Sequence, residues 1–309
     1  MILPKPLFPG ARVALLCPSG AVPEERLAPS LEALCALGLQ PVVYPSCRAR
    51  HGYLAGLDAL RADDLNRAFL DPSIDGILPL RGGYGANRIL PLLDFNTIRQ
   101  VPKYFGGYSD CTALHIAFNQ LGGFITYHTV MPATEYYRPL DPYTMDHLCR
   151  AMFGTLIGPL NNPRGYPLRV LADGFAAAPL CGGNLSLLAD SLGTPWEIDT
   201  RGKILFLEDV GEPLYRIDAM LTQLRNAGKF SDCAGILLGS FSGCAPEHPE
   251  LDLSLDEIFR ELLAPVGKPV LAGFACGHTR PTAALPLGAV LTMEATAKAP
   301  RLSLVPGLE

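Results

Sequence analysis

The strongest constraint on how this chain folds is an alternation in its N-terminal part. Short apolar runs alternate with segments whose apolar residues recur at helical spacing. Residues 13–17, Val-Ala-Leu-Leu-Cys, are an uninterrupted apolar run ending in Pro18-Ser19-Gly20, which reads as a buried strand followed by a turn. From Pro23 to Leu39, the residues Leu27, Leu31, Leu34 and Cys35 share a helical face, and Gly38 marks the helix end. A strand at 41–44, a helix at 57–70 and a strand at 76–80 follow. Such a β-α-β-α-β order predicts parallel strands with covering helices. It continues through a glycine turn at 81–85, a helix from about Asn87, a strand at 104–105, a helix at 110–121 and a strand at 124–127.

The pattern changes near residue 156. Several Pro and Gly and the polar run Asn161-Asn162-Pro163-Arg164-Gly165 mark residues 158–174 as a linker between a domain at 1–157 and one at 175–309. The second part carries predicted strands at 204–208, 235–238, 270–274, 289–293 and 302–305, and helices at 214–226 and 255–263. A chain of 309 residues has room for two domains. With 49% hydrophobic and 18% charged residues it can fill their cores, which excludes a disordered chain. The net charge of −5 offers no basic field for a nucleic-acid backbone. Pro4, Pro6 and Pro9 break the apolar start that a signal peptide needs, and no apolar run approaches membrane-spanning length. The expected location is therefore the cytoplasm, with no membrane partner. Nine cysteines at wide spacings, odd in number and without C-x-x-C, exclude a disulfide framework and a thiolate zinc site, and most read as small buried hydrophobes. There is no H-E-x-x-H, and the six His are not spaced as a ligand set, so no metal is expected.

Four segments carry candidate chemistry. Phe105-Gly106-Gly107-Tyr108-Ser109-Asp110 lies between a predicted strand and a predicted helix, where a sharp turn projects a nucleophilic hydroxyl and helix N–H groups stand ready for an oxyanion. Cys111 stands where G-x-S-x-G would have its last Gly, and Ser109-Asp110 also suits a helix N-cap. Arg81-Gly82-Gly83-Tyr84-Gly85 permits close backbone approach to a ligand without matching a phosphate-loop pattern, and also suits a tight βα turn. Glu208 and Asp209 end an apolar strand, where either carboxylate is placed to orient a histidine; spacing does not choose between them. His278 ends another strand after Gly277, and His128 competes with it. His51, His147 and His248 lie in polar contexts and read as surface residues, while His115 reads as packed or capping.

Together these segments resemble the LD-carboxypeptidase family of serine peptidases, the group that also holds the microcin C immunity peptidase. The resemblance rests on six stretches in order: Arg81-Gly82-Gly83-Tyr84-Gly85, Gly107-Tyr108-Ser109-Asp110, Gly182-Gly183-Asn184-Leu185-Ser186-Leu187-Leu188, Leu207-Glu208-Asp209, Tyr215-Arg216-Ile217-Asp218, and Gly277-His278 followed by Leu285-Pro286-Leu287-Gly288. It implies an α/β fold: an N-terminal parallel-sheet domain carrying the serine, and a smaller, mixed α+β, barrel-like C-terminal domain carrying the acid and the base. By position, the nucleophile matches Ser109, the acid Glu208 and the base His278, with the backbone N–H groups of Asp110 and Gly83 as oxyanion hole. The implied reaction releases the terminal D-alanine from the murein tetrapeptide during cell-wall recycling, in a homodimer without cofactor. The alternatives are cleavage of a peptide–nucleotide amide, a hydrolase using a cysteine such as Cys111, and a non-enzymatic ligand-binding protein. Arg81, Tyr84, Arg88 and Arg280 are candidate substrate contacts, the arginines for a free carboxylate. The chain departs from the family pattern at Thr129-Val130, at Ala219 and at Thr279-Arg280-Pro281-Thr282, which leaves the substrate open.

Overall fold

The computed structural model describes residues 1–305, which divide into two compact units: Met1–Thr155 with Ala284–Pro286, and Leu156–Ala283 with residues 287–305. The first unit contains β1 (Arg12–Leu16), β2 (Gln40–Val43), β3 (Gly76–Pro79), β4 (Tyr104–Gly107) and β5 (Thr126–His128). The second contains β6 (Gly158–Pro159), β7 (Arg169–Ala172), β8 (Gly174–Asn184), β9 (Ile204–Val210), β10 (Gly235–Ser242) and β11 (Val270–Ala272). After β12 (Leu285–Leu287), whose first two residues belong to the first unit, the second unit resumes with β13 (Val290–Ala295) and β14 (Arg301–Leu304).

The first sheet has the order β12-β5-β4-β3-β1-β2. Strands β1 to β5 pair in parallel. The sequence explains why: β1 and β3 are continuous apolar runs, buried at every position except Arg12, as strands covered on both faces must be. The helix Asp58–Leu70 turns Leu65, Ala68 and Phe69 inward, and Phe69 joins Phe118 and Phe124 in an aromatic cluster. Because the strands are parallel, the turns after β1, β3, β4 and β5 all leave the same edge, where open α/β sheets bind their ligands. Pro18–Gly20, the glycine turn, Ser109 and Thr129 therefore share one end of this unit.

The second sheet is mixed, in the order β6-β14-β13-β8-β9-β10-β11-β7. Its centre, β8-β9-β10-β11, is parallel, and the flanking strands are antiparallel. Glu208 on β9, Ser240 on β10 and His278 after β11 leave the C-terminal edge of the parallel strands. The helix Leu214–Asn226 falls where its periodicity predicts, burying Leu214, Ile217, Met220, Leu221 and Leu224. Ser254 and Glu257 form a reciprocal capping box at the start of the helix Leu255–Leu262.

Three expectations give way. Residues 158–174, read as a linker, carry β6 and β7 and lie within the second unit. Cys35 is exposed, because the buried face of the helix Glu24–Ala36 runs through Leu27, Ser30 and Leu34. His147 is buried rather than on the surface: its Nδ1 accepts the backbone N–H of Ala284 at 3.4 Å, and burial pulls its pKa down to about 4. Among the described residues, no helix is long and apolar enough to cross a membrane, and no group of three or more His, Cys, Asp or Glu is placed to hold a metal ion.

Candidate active site

In the first unit, β4 ends in two glycines and the chain turns sharply at Ser109. Its φ of 63° makes it the one non-glycine residue with positive φ among the described residues. A side chain in this region costs roughly 1–2 kcal/mol. Such strain persists only where the surroundings over-determine it, and it clusters at functional positions. Here the surroundings are explicit. His115, fully buried, donates from Nε2 to the Gly107 carbonyl at 2.8 Å and accepts from the Thr126 hydroxyl at Nδ1, also at 2.8 Å. Burial lowers its pKa to about 4, which keeps it neutral, and the Gly107 carbonyl, which can only accept, fixes the proton on Nε2. The Tyr108 hydroxyl donates to Glu135 at 2.7 Å, and the other oxygen of Glu135 accepts the Met131 N–H at 2.9 Å. The two residues that lead into Ser109 are thus held by buried hydrogen bonds.

The glycine turn lies against this serine. A Cβ added at Gly82 would stand 3.0 Å from the Ser109 Cβ, 3.2 Å from its Oγ and 3.3 Å from the Asp110 backbone N. Gly82 is buried, whereas Gly83, at φ 112°, is exposed and lies over Gly20 and the Arg81 guanidinium. The arginines differ in their engagement. Arg81 donates to the carbonyls of Gly82 and Ala21, both at 3.2 Å, and so braces the loop. Arg88 is paired with Asp58 through Nε at 3.0 Å and Nη2 at 2.9 Å. Tyr84 is exposed and meets Tyr53 edge-on at 5.8 Å. The Cys111 thiol is buried, and burial raises its pKa well above the ordinary value, which disfavours the thiolate that a cysteine nucleophile needs.

In the second unit, the His278 ring Nδ1 donates to Glu208 Oε2 at 2.7 Å, and the same oxygen accepts the His278 backbone N–H at 3.1 Å. Glu208 is fully buried. Strand alternation sends its neighbour to the other face: Asp209 accepts from Asn184 Nδ2 at 2.9 Å, and from the Ser186 N–H and hydroxyl at 2.9 and 2.7 Å. Asp209 therefore fastens the start of the helix Leu185–Ser191, and the choice that spacing left open falls to Glu208 as the partner of His278. The carboxylate fixes Nδ1 as the protonated nitrogen and leaves Nε2 as an acceptor. Thr282, one of the departures, closes the His278 turn: its Oγ1 accepts the Gly277 N–H and donates to the Gly277 carbonyl, each at 3.1 Å. The other departures lie elsewhere. Thr129 and Val130 are buried, and Ala219 is on the exposed side of its helix. Arg280 is exposed, and its guanidinium makes no hydrogen bond or ion pair with any described residue.

Both units match family models. Residues 13–129 match the LD-carboxypeptidase N-terminal domain and residues 177–293 the LD-carboxypeptidase C-terminal domain. The chain belongs to the LD-carboxypeptidase family. It is 40% identical over 299 residues to a probable murein peptide carboxypeptidase of Bacillus subtilis, covering 96% of this chain and 92% of that one. Among solved structures, a muramoyltetrapeptide carboxypeptidase from Oxalobacter formigenes matches with a TM-score of 0.86 and 28% identity, over 97% of this chain and all of that one. The structure of MccF in complex with glutamyl sulfamoyl guanosine matches with a TM-score of 0.90 over 99% of both chains, at 23% identity, a likeness of fold. As a member of this LD-carboxypeptidase family, the chain carries its residues of interest in both matched domains: Ser109 in the first, Glu208 and His278 in the second.

Proposed function

We propose that this family member is a serine-type LD-carboxypeptidase that releases the terminal D-alanine from the murein tetrapeptide, with Ser109 as nucleophile, His278 as base and Glu208 as its orienting acid. The observation that carries the serine is its backbone: Ser109 holds a left-handed φ of 63° at the end of a strand, with the two residues before it braced by buried hydrogen bonds. Gly82 packs directly against it, so close that a Cβ there would stand 3.2 Å from Ser109 Oγ and 3.3 Å from the Asp110 N. In this mechanism the unprotonated Nε2 of His278 takes the Ser109 proton as Oγ attacks the carbonyl before the terminal residue. The oxyanion rests on the N–H groups of Asp110 and Gly83. The imidazolium, balanced by Glu208, returns its proton to the leaving amine, and water then resolves the acyl-enzyme. Of the three candidate arginines, Arg88 is engaged by Asp58 and Arg81 by backbone carbonyls, so Arg280 is assigned to the substrate carboxylate.

The test is release of D-alanine from L-Ala-γ-D-Glu-meso-diaminopimelate-D-Ala, followed by mass spectrometry for the wild type and Ser109→Ala. Release by the wild type alone is expected. Equal release by both would remove Ser109 as nucleophile. Release by neither would move the substrate toward a peptide–nucleotide amide, to be assayed next.

Gly82→Ala probes the same contact. Gly82 is outside the positive-φ region, so alanine fits its backbone and only the added methyl matters. The variant is expected to melt near the wild type while kcat/KM falls about 100-fold, the usual consequence of displacing reacting atoms by about 1 Å. Wild-type turnover in Gly82→Ala would show that the close packing of Gly82 on Ser109 does not matter to the reaction.

A further inference from the structure

The glycine loop must hold its place against Ser109 to within a fraction of an ångström, yet a loop with three glycines in five residues has little stiffness of its own. Its first half is fixed at one carbonyl: that of Gly82 accepts the Gly20 N–H at 3.2 Å and the Arg81 side-chain Nε at 3.2 Å. Its second half is held differently. The Gly85 carbonyl accepts from Arg61 Nη1 at 2.9 Å. The next N–H, that of Ala86, donates to Asp110 Oδ2 at 2.8 Å. That carbonyl and that N–H belong to one peptide group.

We propose that Arg61 and Asp110 are positioning residues, which set the glycine loop against Ser109 by gripping the Gly85–Ala86 peptide at its two polar ends. Both side chains are buried, Arg61 at 0% and Asp110 at 1% exposure. A buried charge is tolerable only when it is paired and hydrogen-bonded. Arg61 places Nη1 on the Gly85 and Pro18 carbonyls and Nη2 on the Asp58 carboxylate, and only its Nε has no partner among the described residues. The peptide dipole lies between guanidinium and carboxylate with its carbonyl toward the cation and its N–H toward the anion, the favourable sense. Burial raises the carboxyl pKa of Asp110, and the Ser19 hydroxyl, the Ala86 and Gly85 N–H groups and, least, the Arg61 charge oppose that rise. Asp110 directly follows Ser109 in the chain, so its carboxylate transmits the position of the serine turn to the loop. Pro18, held by the same guanidinium, opens the turn whose Gly20 secures the other half of the loop. Arg61 therefore ties together both supports of the wall that faces the nucleophile.

This inference rests on Ser109 being the nucleophile, and the experiment separates the two. Wild type, Asp110→Ala and Asp110→Asn are labelled with a fluorophosphonate, which reports nucleophile and oxyanion hole without any particular peptide. Ser109→Ala is the control, and all samples are held below their own melting transitions. Labelling that persists unchanged in Ser109→Ala would defeat the nucleophile assignment instead. Asp110→Ala is expected to label about 100-fold more slowly, the scale of a misplaced oxyanion donor. Asp110→Asn, whose amide oxygen can still accept the Ala86 N–H, is expected to recover most of that loss. A purely structural role would lower the melting temperature and leave the labelling rate of the folded protein unchanged, and that result would overturn the proposal. A measurement on the wild type needs no folded variant: the Ala86 amide is expected to exchange with deuterium far more slowly than an exposed loop amide. Rapid exchange there would equally overturn it.

Discussion

Ser109→Gly is expected to lose turnover by about 10⁴- to 10⁶-fold, the range seen when a serine nucleophile is removed, and yet to melt no lower than the wild type. Two magnitudes decide the second half. Relieving a non-glycine residue at a φ of 63° returns roughly 1–2 kcal/mol. Glycine gives back about 0.5–1 kcal/mol through the greater freedom of its unfolded chain. The balance is zero or slightly stabilising. Ser109→Ala keeps the strain and removes only the hydroxyl, so it should be as inactive without the gain. Comparing D-alanine release and thermal midpoints of the two variants tests chemistry and strain separately. A Ser109→Gly protein that turns over normally would end the serine mechanism. One that is inactive but markedly less stable would show that the positive φ is not held against a steric cost.

Removal of Glu208 should have the next largest effect. Glu208→Ala deletes the acceptor of both the backbone N–H and the ring Nδ1–H of His278, and is expected to cost about 10⁴-fold in kcat, as for the acid of other triads. Glu208→Gln is the informative companion. One oxygen, Oε2, takes both donors, while Oε1 is buried without a hydrogen-bond partner among the described residues. An amide can therefore offer its oxygen to both donors and turn its NH2 toward the space Oε1 occupies. The histidine tautomer survives, and the negative charge that balances the imidazolium does not. Glu208→Gln is thus expected to retain appreciably more activity than Glu208→Ala, with the residual deficit measuring the charge. Equal, near-complete loss in both would mean that the charge is the dominant part. Wild-type kcat in Glu208→Ala would exclude Glu208 from catalysis. Gly277 makes the arrangement possible: at a φ of 115°, a Cβ there would stand 2.5 Å from Glu208 Oε2.

The parts legible in the sequence are those written in contiguous residues. The apolar run of β1, the helix Leu214–Asn226 and the glycine-led turn at Ser109 each carry their own periodicity or punctuation. The choice between Glu208 and Asp209 did not, because β9 is buried on both faces and its run of apolar residues shows no alternation. The burial of His147 is written in the sequence but obscured. Thr144, His147, Leu148 and Ala151 recur at three- and four-residue steps on the buried face of the helix Pro142–Met152, but the polar neighbours of His147 mask that stripe. The strands β6 and β7 are short, in a stretch rich in Pro and Gly, and their ladders depend on strands far along the chain. Arg61 was invisible for the same reason: in its own helix it resembles any surface arginine, and its carbonyl partners come from turns distant in sequence.

The passage of Ala284–Pro286 into the first unit has a consequence for biosynthesis. While the ribosome is still making the second unit, β5 is the last strand on its side of the first sheet, and its backbone groups on that side await a partner. The strand that completes the sheet emerges only when nearly the whole polypeptide has been made. A nascent N-terminal half is therefore an unfinished fold with an open edge, and the interval before residue 284 appears is when this chain is most exposed to misassembly with its neighbours.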